Sequence, residues 1–339
     1  MAITLVGETA THPSIRFSHE IAVDGDYAYF RSGPVNYADH VLIADVSDPS
    51  NPSIVGDYDG VYQWNYGFAY NYADEHCFLS SENYNAVEEI ETSTKSAPTQ
   101  HDSYSSATYC DGPKGMDVWG NYLFIAARDD NMLTILDIPD SLQYEGSVGD
   151  GTNLNGIYQV EVRSDGNYAF CSAAGNNRAT SVNTSNKASP TVTDSITISR
   201  SCSYASLHGN YFLVSSYSNN GWHIIDVSDP SNLVERVSYA ESSVCYYGTF
   251  TTSNLGNVYL FIAVGSALRI YDVTDWTSPV YKESISVFGR GQTIVGDLLY
   301  VPRFSSGADQ TLRIYDVSDY TTQKRMTFGG VTFGGGVIQ

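Results

Sequence analysis

The chain has 339 residues, 42% of them apolar, with 27 tyrosines and a formal charge of −21. That apolar share suffices for a packed core and argues against a disordered chain. The acidic balance repels nucleic-acid backbones, so no nucleic-acid partner is expected, and no apolar run of 18 residues offers a membrane-spanning helix or membrane insertion.

The first residues, MAITLVGETATH, lack the basic segment and the long apolar stretch of a signal peptide, so no secretion signal is expected. Cys77, Cys110, Cys171, Cys202 and Cys245 are odd in number, scattered, and free of any CxxC pair. Buried thiols are expected in place of a disulfide framework.

Along the chain, HVLIADVSDPSNP (40–52) recurs as AVEEIETSTKSAP (86–98), LTILDIPDSL (133–142) and ATSVNTSNKASP (179–190). WHIIDVSDPSN (222–232), ALRIYDVTDWTSP (267–279) and TLRIYDVSDYT (311–321) complete the series. The anchor position holds Asp45, Glu91, Asp137, Asn183, Asp226, Asp272 and Asp316, at intervals of 43 to 46 residues. One such repeat cannot bury its own apolar face, but a stack of them can.

Residues 19–59 show the unit. HEIAV, DYAYFRSG, HVLIADVS and PSIVGDYD read as four short strands, the middle two apolar enough to be covered on both faces. Gly25-Asp26 supplies a tight turn of positive φ between the first two, and Gly-Asn or Gly-Asp recurs at 120, 166, 209, 256 and 296. The anchor acid and the DPS segment form the next turn.

Four-stranded units repeated seven times, with no helical period, predict an all-β fold: a single seven-bladed β-propeller of antiparallel blades spanning 1–339. A solenoid would need capping repeats, and none is visible. The leading ITLVGETA resembles the fourth strands IVGDYD and YEGSVGD, so it is expected to pair with the last blade and close the ring. The alternative has KRMTFGG (324–330) as the last outer strand and residues 3–9 as a fifth. The Gly-rich segment 329–339 reads as a tail or a docking strand.

LIADVSDPSNP and IIDVSDPSN, in multiples at this spacing, resemble the LVIVD-repeat family of β-propellers. The resemblance spans nearly all of the chain. Thr94 and Asn186 depart from it, standing where the second Asp of the motif belongs. It implies the propeller fold and a surface or secreted setting, and it brings no catalytic residues.

There is no HExxH, GxSxG or phosphate loop, and GGVTFGGG lacks the Lys-Ser/Thr ending that phosphate binding needs. His12, His19 and His40 cluster around one repeat without the three or four converging ligands zinc requires, so neither metal nor cofactor is expected. Asp57, Asp59, Asp129 and Asp130 read as turn acids, since no twelve-residue calcium loop surrounds them. Asp117 and Glu161 lie in first strands, which line a propeller's channel. Two carboxylates there could do acid–base work on a sugar, though pairing with arginine or water is the plainer role.

The loops leading into each blade share a face with those joining second and third strands. Tyr37, Tyr62, Trp64, Tyr66, Tyr84, Tyr109, Tyr217, Tyr246 and Tyr247 map there, among many Asn, Ser and Gly. That vocabulary gives large contact area at little rotamer entropy. Arg16, Lys114, Arg128, Arg178, Arg200, Arg290 and Arg303 map to the same rim, and arginine favours carboxylates and acidic sugars. The expectation is a non-catalytic recognition or structural module binding glycan or protein through this rim. It would be displayed in many copies on a cell surface or a phage virion, or attached to a larger assembly. An intracellular, cytoplasmic scaffold and a carbohydrate-active enzyme are the alternatives.

Overall fold

A computed structural model of the chain describes residues 3–15, 20–35, 38–60, 65–287, 289–303, 310–322, 327–328 and 331–332. Its strands form seven four-stranded antiparallel sheets, the blades of a β-propeller. Blades 1 to 6 occupy 21–59, 65–105, 113–149, 157–197, 204–240 and 245–285; blade 7 takes 293–316 together with Thr4–Glu8.

Within blades 1 to 6 the strand order follows the chain from the channel outward, and in blade 7 Thr4–Glu8 takes the outermost place. Second strands such as Tyr122–Ala127 (YLFIAA) and Tyr168–Ala173 (YAFCSA) are buried at every position but the first, because neighbouring blades cover both faces. Aromatics bridge those faces: Phe170 and Phe212 lie 5.9 Å apart between blades 4 and 5. All five cysteines are free and buried, as expected, and burial pushes the Cys110 thiol up to about 12.

Each outer strand carries a bulge just before the anchor, for example between Ile43 and Ala44 and between Ile135 and Leu136. It leaves one outer-strand residue unpaired in every blade.

Thr4–Glu8 runs antiparallel to Leu312–Asp316, with Thr4 opposite Asp316 and Glu8 opposite Arg313. The ring therefore closes through the segment expected to close it. Thr327–Phe328 pairs instead with Val331–Thr332 in a separate two-stranded sheet, which overturns the alternative closure at those positions. Residues 324–326, 329–330 and 333–339 lie outside the described residues.

A recurring contact interlocks the blades. Opposite the position two before the anchor, the outer strand carries Gly7, Gly56 or Gly146. A Cβ at these glycines would collide with the carbonyl oxygens of Pro49, Lys95 and Lys187, all in the next blade's outer turn. Blades 2 and 4 use an acid at the same place: Asp102 accepts the Leu142 N–H and Asp194 the Leu233 N–H, each at 2.7 Å. Gly146→Ala is expected to cost about 1–3 kcal/mol, the usual range for forcing a backbone shift in a packed site, read as a lower urea midpoint at unchanged slope.

Candidate functional site: the central channel

The first strands of all seven blades surround one pocket of about 320 Å³. Their inner edges have no further strand to pair with, so their N–H groups need other acceptors. Acidic side chains supply them. Glu20 accepts the Phe68 N–H at 2.7 Å, and Asp117 accepts those of Val162 at 2.7 Å and Val118 at 2.8 Å. Glu161 accepts that of Leu207. Each of the three acids thus staples its own blade to the next.

The three carboxylates are also the chemical centre of the channel. They keep some exposure to its lumen, but protein walls enclose them on every side, so the charged form is poorly solvated. Burial pushes Glu20 up to about 7 and Asp117 up to about 6. Glu161 is raised well above the carboxylate range, by burial first and then by the negative charge of Asp117. The Tyr247 hydroxyl donates to Glu20 Oε1 at 2.5 Å, and the Gln159 amide oxygen lies 3.1 Å from it. The Gln159 amide nitrogen reaches Glu161 at 3.4 Å, so Glu20, Tyr247, Gln159 and Glu161 form one polar chain across the lumen. Tyr70 and the exposed Tyr72 add an aromatic wall, their rings edge-to-face at 4.9 Å. Raised carboxylates beside aromatic faces can donate as well as accept hydrogen bonds near neutral pH.

The sequence expected recognition on the loop rim, and the structure divides that set. Arg16, Tyr37, Tyr62 and Trp64 lie outside the described residues, as does the Tyr66 side chain. Tyr84 and Tyr217 are half-exposed, and Tyr109 stacks on Tyr144 at 4.2 Å. Tyr246 is instead buried at 4% exposure, with the Arg290 guanidinium 4.6 Å over its ring. Tyr247 belongs to the channel.

Among the described residues, the rim cations are held by partners within the fold. Lys114 is 3% exposed and binds Glu82 at 2.6 Å; burial lowers its pKa to about 8 against that partner's pull. Arg128 binds the same Glu82 at 2.9 Å. Arg178 reaches Ser195 Oγ at 3.2 Å and Arg200 the Asn219 carbonyl at 2.7 Å. Arg303 sits beside Glu8, whose carboxyl it helps hold low. Lys114 and Tyr246 are thus interior groups, because they stand second in the first strands of blades 3 and 6 and not in the loops before them.

Among the other candidates, His40 pairs with Asp57 at 2.7 Å and its Nε2 lies 3.8 Å from Asp59. His12 accepts the Ser14 N–H, and His19 lies outside the described residues. Asp130 accepts the Asp111 N–H, and Asp129 lies 3.7 Å from Arg128. Glu20, Tyr247 and Gln159 were not singled out for the channel. Their signal was available in their place: Gln159 and Tyr247 lie within first strands and Glu20 directly before one, the same element that drew attention to Asp117 and Glu161.

Seven closed blades around an acid-lined channel define a β-propeller. The family model for the LVIVD repeat matches residues 16–60, 114–142, 200–241 and 255–287, so this propeller carries LVIVD repeats in blades 1, 3, 5 and 6. Blades 2 and 4, which carry the divergent copies, fall outside the matches, and so does blade 7. No curated protein matches the sequence.

Solved structures match the fold. The Cps50 (Swd1) β-propeller domain of Myceliophteria thermophila is 12% identical, with a TM-score of 0.67 over 93% of this chain and 100% of that one. A Lactobacillus plantarum protein is 12% identical, with a TM-score of 0.66 over 79% and 84%. A putative 6-phosphogluconolactonase from Bacteroides uniformis is 13% identical, with the same score and coverage. At such identity the likeness is one of fold alone.

Proposed function

We propose that this propeller is a non-catalytic recognition module that takes a neutral, hydroxyl-rich glycan at the mouth of its channel. The observation that carries this reading is the convergence of Glu20, Asp117 and Glu161 beside Tyr70 and Tyr72 in one pocket to which all seven blades contribute. Sugar C–H faces stack on aromatic rings, while hydroxyls exchange hydrogen bonds with carboxyl groups. The acids disfavour an acidic sugar. The rim arginines and lysine are engaged by Glu82, Ser195 and the Asn219 carbonyl, which further supports a neutral ligand.

A single shallow site of this kind binds weakly, at about millimolar Kd. Multiple copies raise avidity by about 10²–10⁴, so we place the protein on a cell surface or virion, presented in an array. Antibody labelling of intact cells or particles tests that placement. For binding, the purified chain is clustered and screened on neutral and acidic glycans. Saturable binding to neutral glycans, lost in Glu161→Gln and Tyr72→Ala and kept in Arg178→Ala, is the expected result. Selectivity for acidic glycans, or a blank array, would remove the proposal.

A second reading, a carbohydrate-active enzyme, is favoured by one observation: burial raises both Asp117 and Glu161, and the charge of Asp117 raises Glu161 further, so the two differ in acidity as an acid and base pair requires. It demands product formation that Asp117→Asn or Glu161→Gln abolishes.

A further inference from the structure

Blade 2 departs from the repeat at two positions that meet in space. The residue opposite the anchor is tyrosine in five blades: Tyr27, Tyr122, Tyr168, Tyr211 and Tyr259. In blade 2 it is His76. Two residues before the anchor, five blades bury an isoleucine without exposure: Ile43, Ile135, Ile224, Ile270 and Ile314. Blade 2 has Glu89 there, at 1% exposure. His76 Nδ1 lies 2.7 Å from Glu89 Oε1, while Glu89 Oε2 is buried with no hydrogen-bond partner.

A third group completes the cluster. His101 occupies the unpaired bulge position of the outer strand, and its ring centre lies 4.8 Å from that of His76. One ligand atom from each of His76, Glu89 and His101 lies within 4.8 Å of the others. They face a pocket of about 530 Å³ that Asp74, Asn121 and Asp140 also line. The pocket sits between blades 2 and 3, at the end of the ring opposite the rim loops, and is separate from the channel.

Replacing a core isoleucine by a carboxylate is unfavourable unless the charge is compensated. The His76 contact satisfies one oxygen. It leaves the second oxygen and the approach of His101 without a role. Two imidazole nitrogens and a carboxylate oxygen are the donor set of a borderline divalent metal such as zinc, with further positions open to water or to Asp74 and Asp140. We propose that His76, Glu89 and His101 bind a divalent transition-metal ion of the zinc type.

The test uses the full chain, stripped with chelator and dialysed against zinc chloride, with cobalt chloride as a spectroscopic probe. The expected result is a single ion per chain and intense visible cobalt bands from a low-coordinate nitrogen–oxygen site. Glu89→Ile and His76→Tyr restore the residues the other blades use, so both variants should fold. His101→Ala alters only an exposed group. Each should weaken zinc binding by at least about 100-fold, the upper range for losing a mere outer partner of a metal. No stoichiometric binding overturns the proposal. So does binding that survives in folded Glu89→Ile, which would assign the ion to another site.

Discussion

Deleting residues 3–9, and with them the strand Thr4–Glu8, is expected to lower the unfolding midpoint by on the order of 5–10 °C. The strand makes the outer edge of blade 7, and its loss bares the backbone of Leu312–Asp316. About five ladder hydrogen bonds at about 1 kcal/mol each set the scale, and an unfolding entropy of about 2.1 cal/mol/K per residue over 339 residues converts each kcal/mol to about 1.4 °C. Side chains add to it. Glu8 Oε1 holds both Arg313 Nε at 3.0 Å and Thr311 Oγ1 at 2.5 Å, and Thr9 accepts the Leu312 N–H at 3.1 Å. Gly7 admits the outer turn of blade 1 around Pro49, repeating across the seam the interlock made by Gly56 and Gly146. Removing the strand therefore cuts the last blade's edge and its grip on the first blade together. Scanning calorimetry of the truncated chain gives the shift. An unchanged midpoint would mean that inner-strand contacts alone hold the ring.

The architecture was legible because it repeats. Anchor acids, Gly-Asn turns and alternating burial recur at one interval, so each copy supports the reading of the others. Even the closure strand was visible, through the likeness of ITLVGETA to the other fourth strands. The site was less legible, because convergence on a channel depends on residues far apart in the chain. Glu20 and Tyr247 share a hydrogen bond across 227 positions, and no local motif encodes that. Rim residues were read from loop membership alone, which cannot tell a side chain that projects, such as Tyr217, from one that folds inward, such as Lys114. His76 and Glu89 did leave a trace. They are substitutions against a strong internal pattern, in one of the two copies that depart from the motif. In a repeat protein the copy that breaks the pattern is where a local demand outweighs the packing rule.

Raising the pH from 5 to 8 is expected to destabilise the protein by a few kcal/mol, and the channel acids set the sign. Glu20 and Asp117 hold their protons up to about 7 and about 6 when folded, and Glu161 is raised as well. Unfolded, the same groups titrate near 4. Between those limits the folded state binds more protons, so stability falls with rising pH. The contribution is complete below the unfolded values and is lost as pH climbs through the folded ones. One pKa unit is worth about 1.4 kcal/mol, and the shared lumen makes the three shifts less than additive. His208 and His223, both lowered by burial, slope the other way below pH 6.5. The informative quantity is therefore the difference between the wild type and Glu161→Gln, in which those histidines cancel. Urea titrations across the range should show a flatter profile in the variant, because its channel carries one acid fewer and Glu20 loses a like-charged neighbour. The same protons decide what the channel offers a ligand. Protonated acids present donors to sugar hydroxyls, whereas three carboxylates present only acceptors and mutual repulsion. Glycan affinity should consequently fall over the pH window in which stability falls. If affinity stays flat while stability drops, the acids act as staples between blades and the recognition surface lies elsewhere.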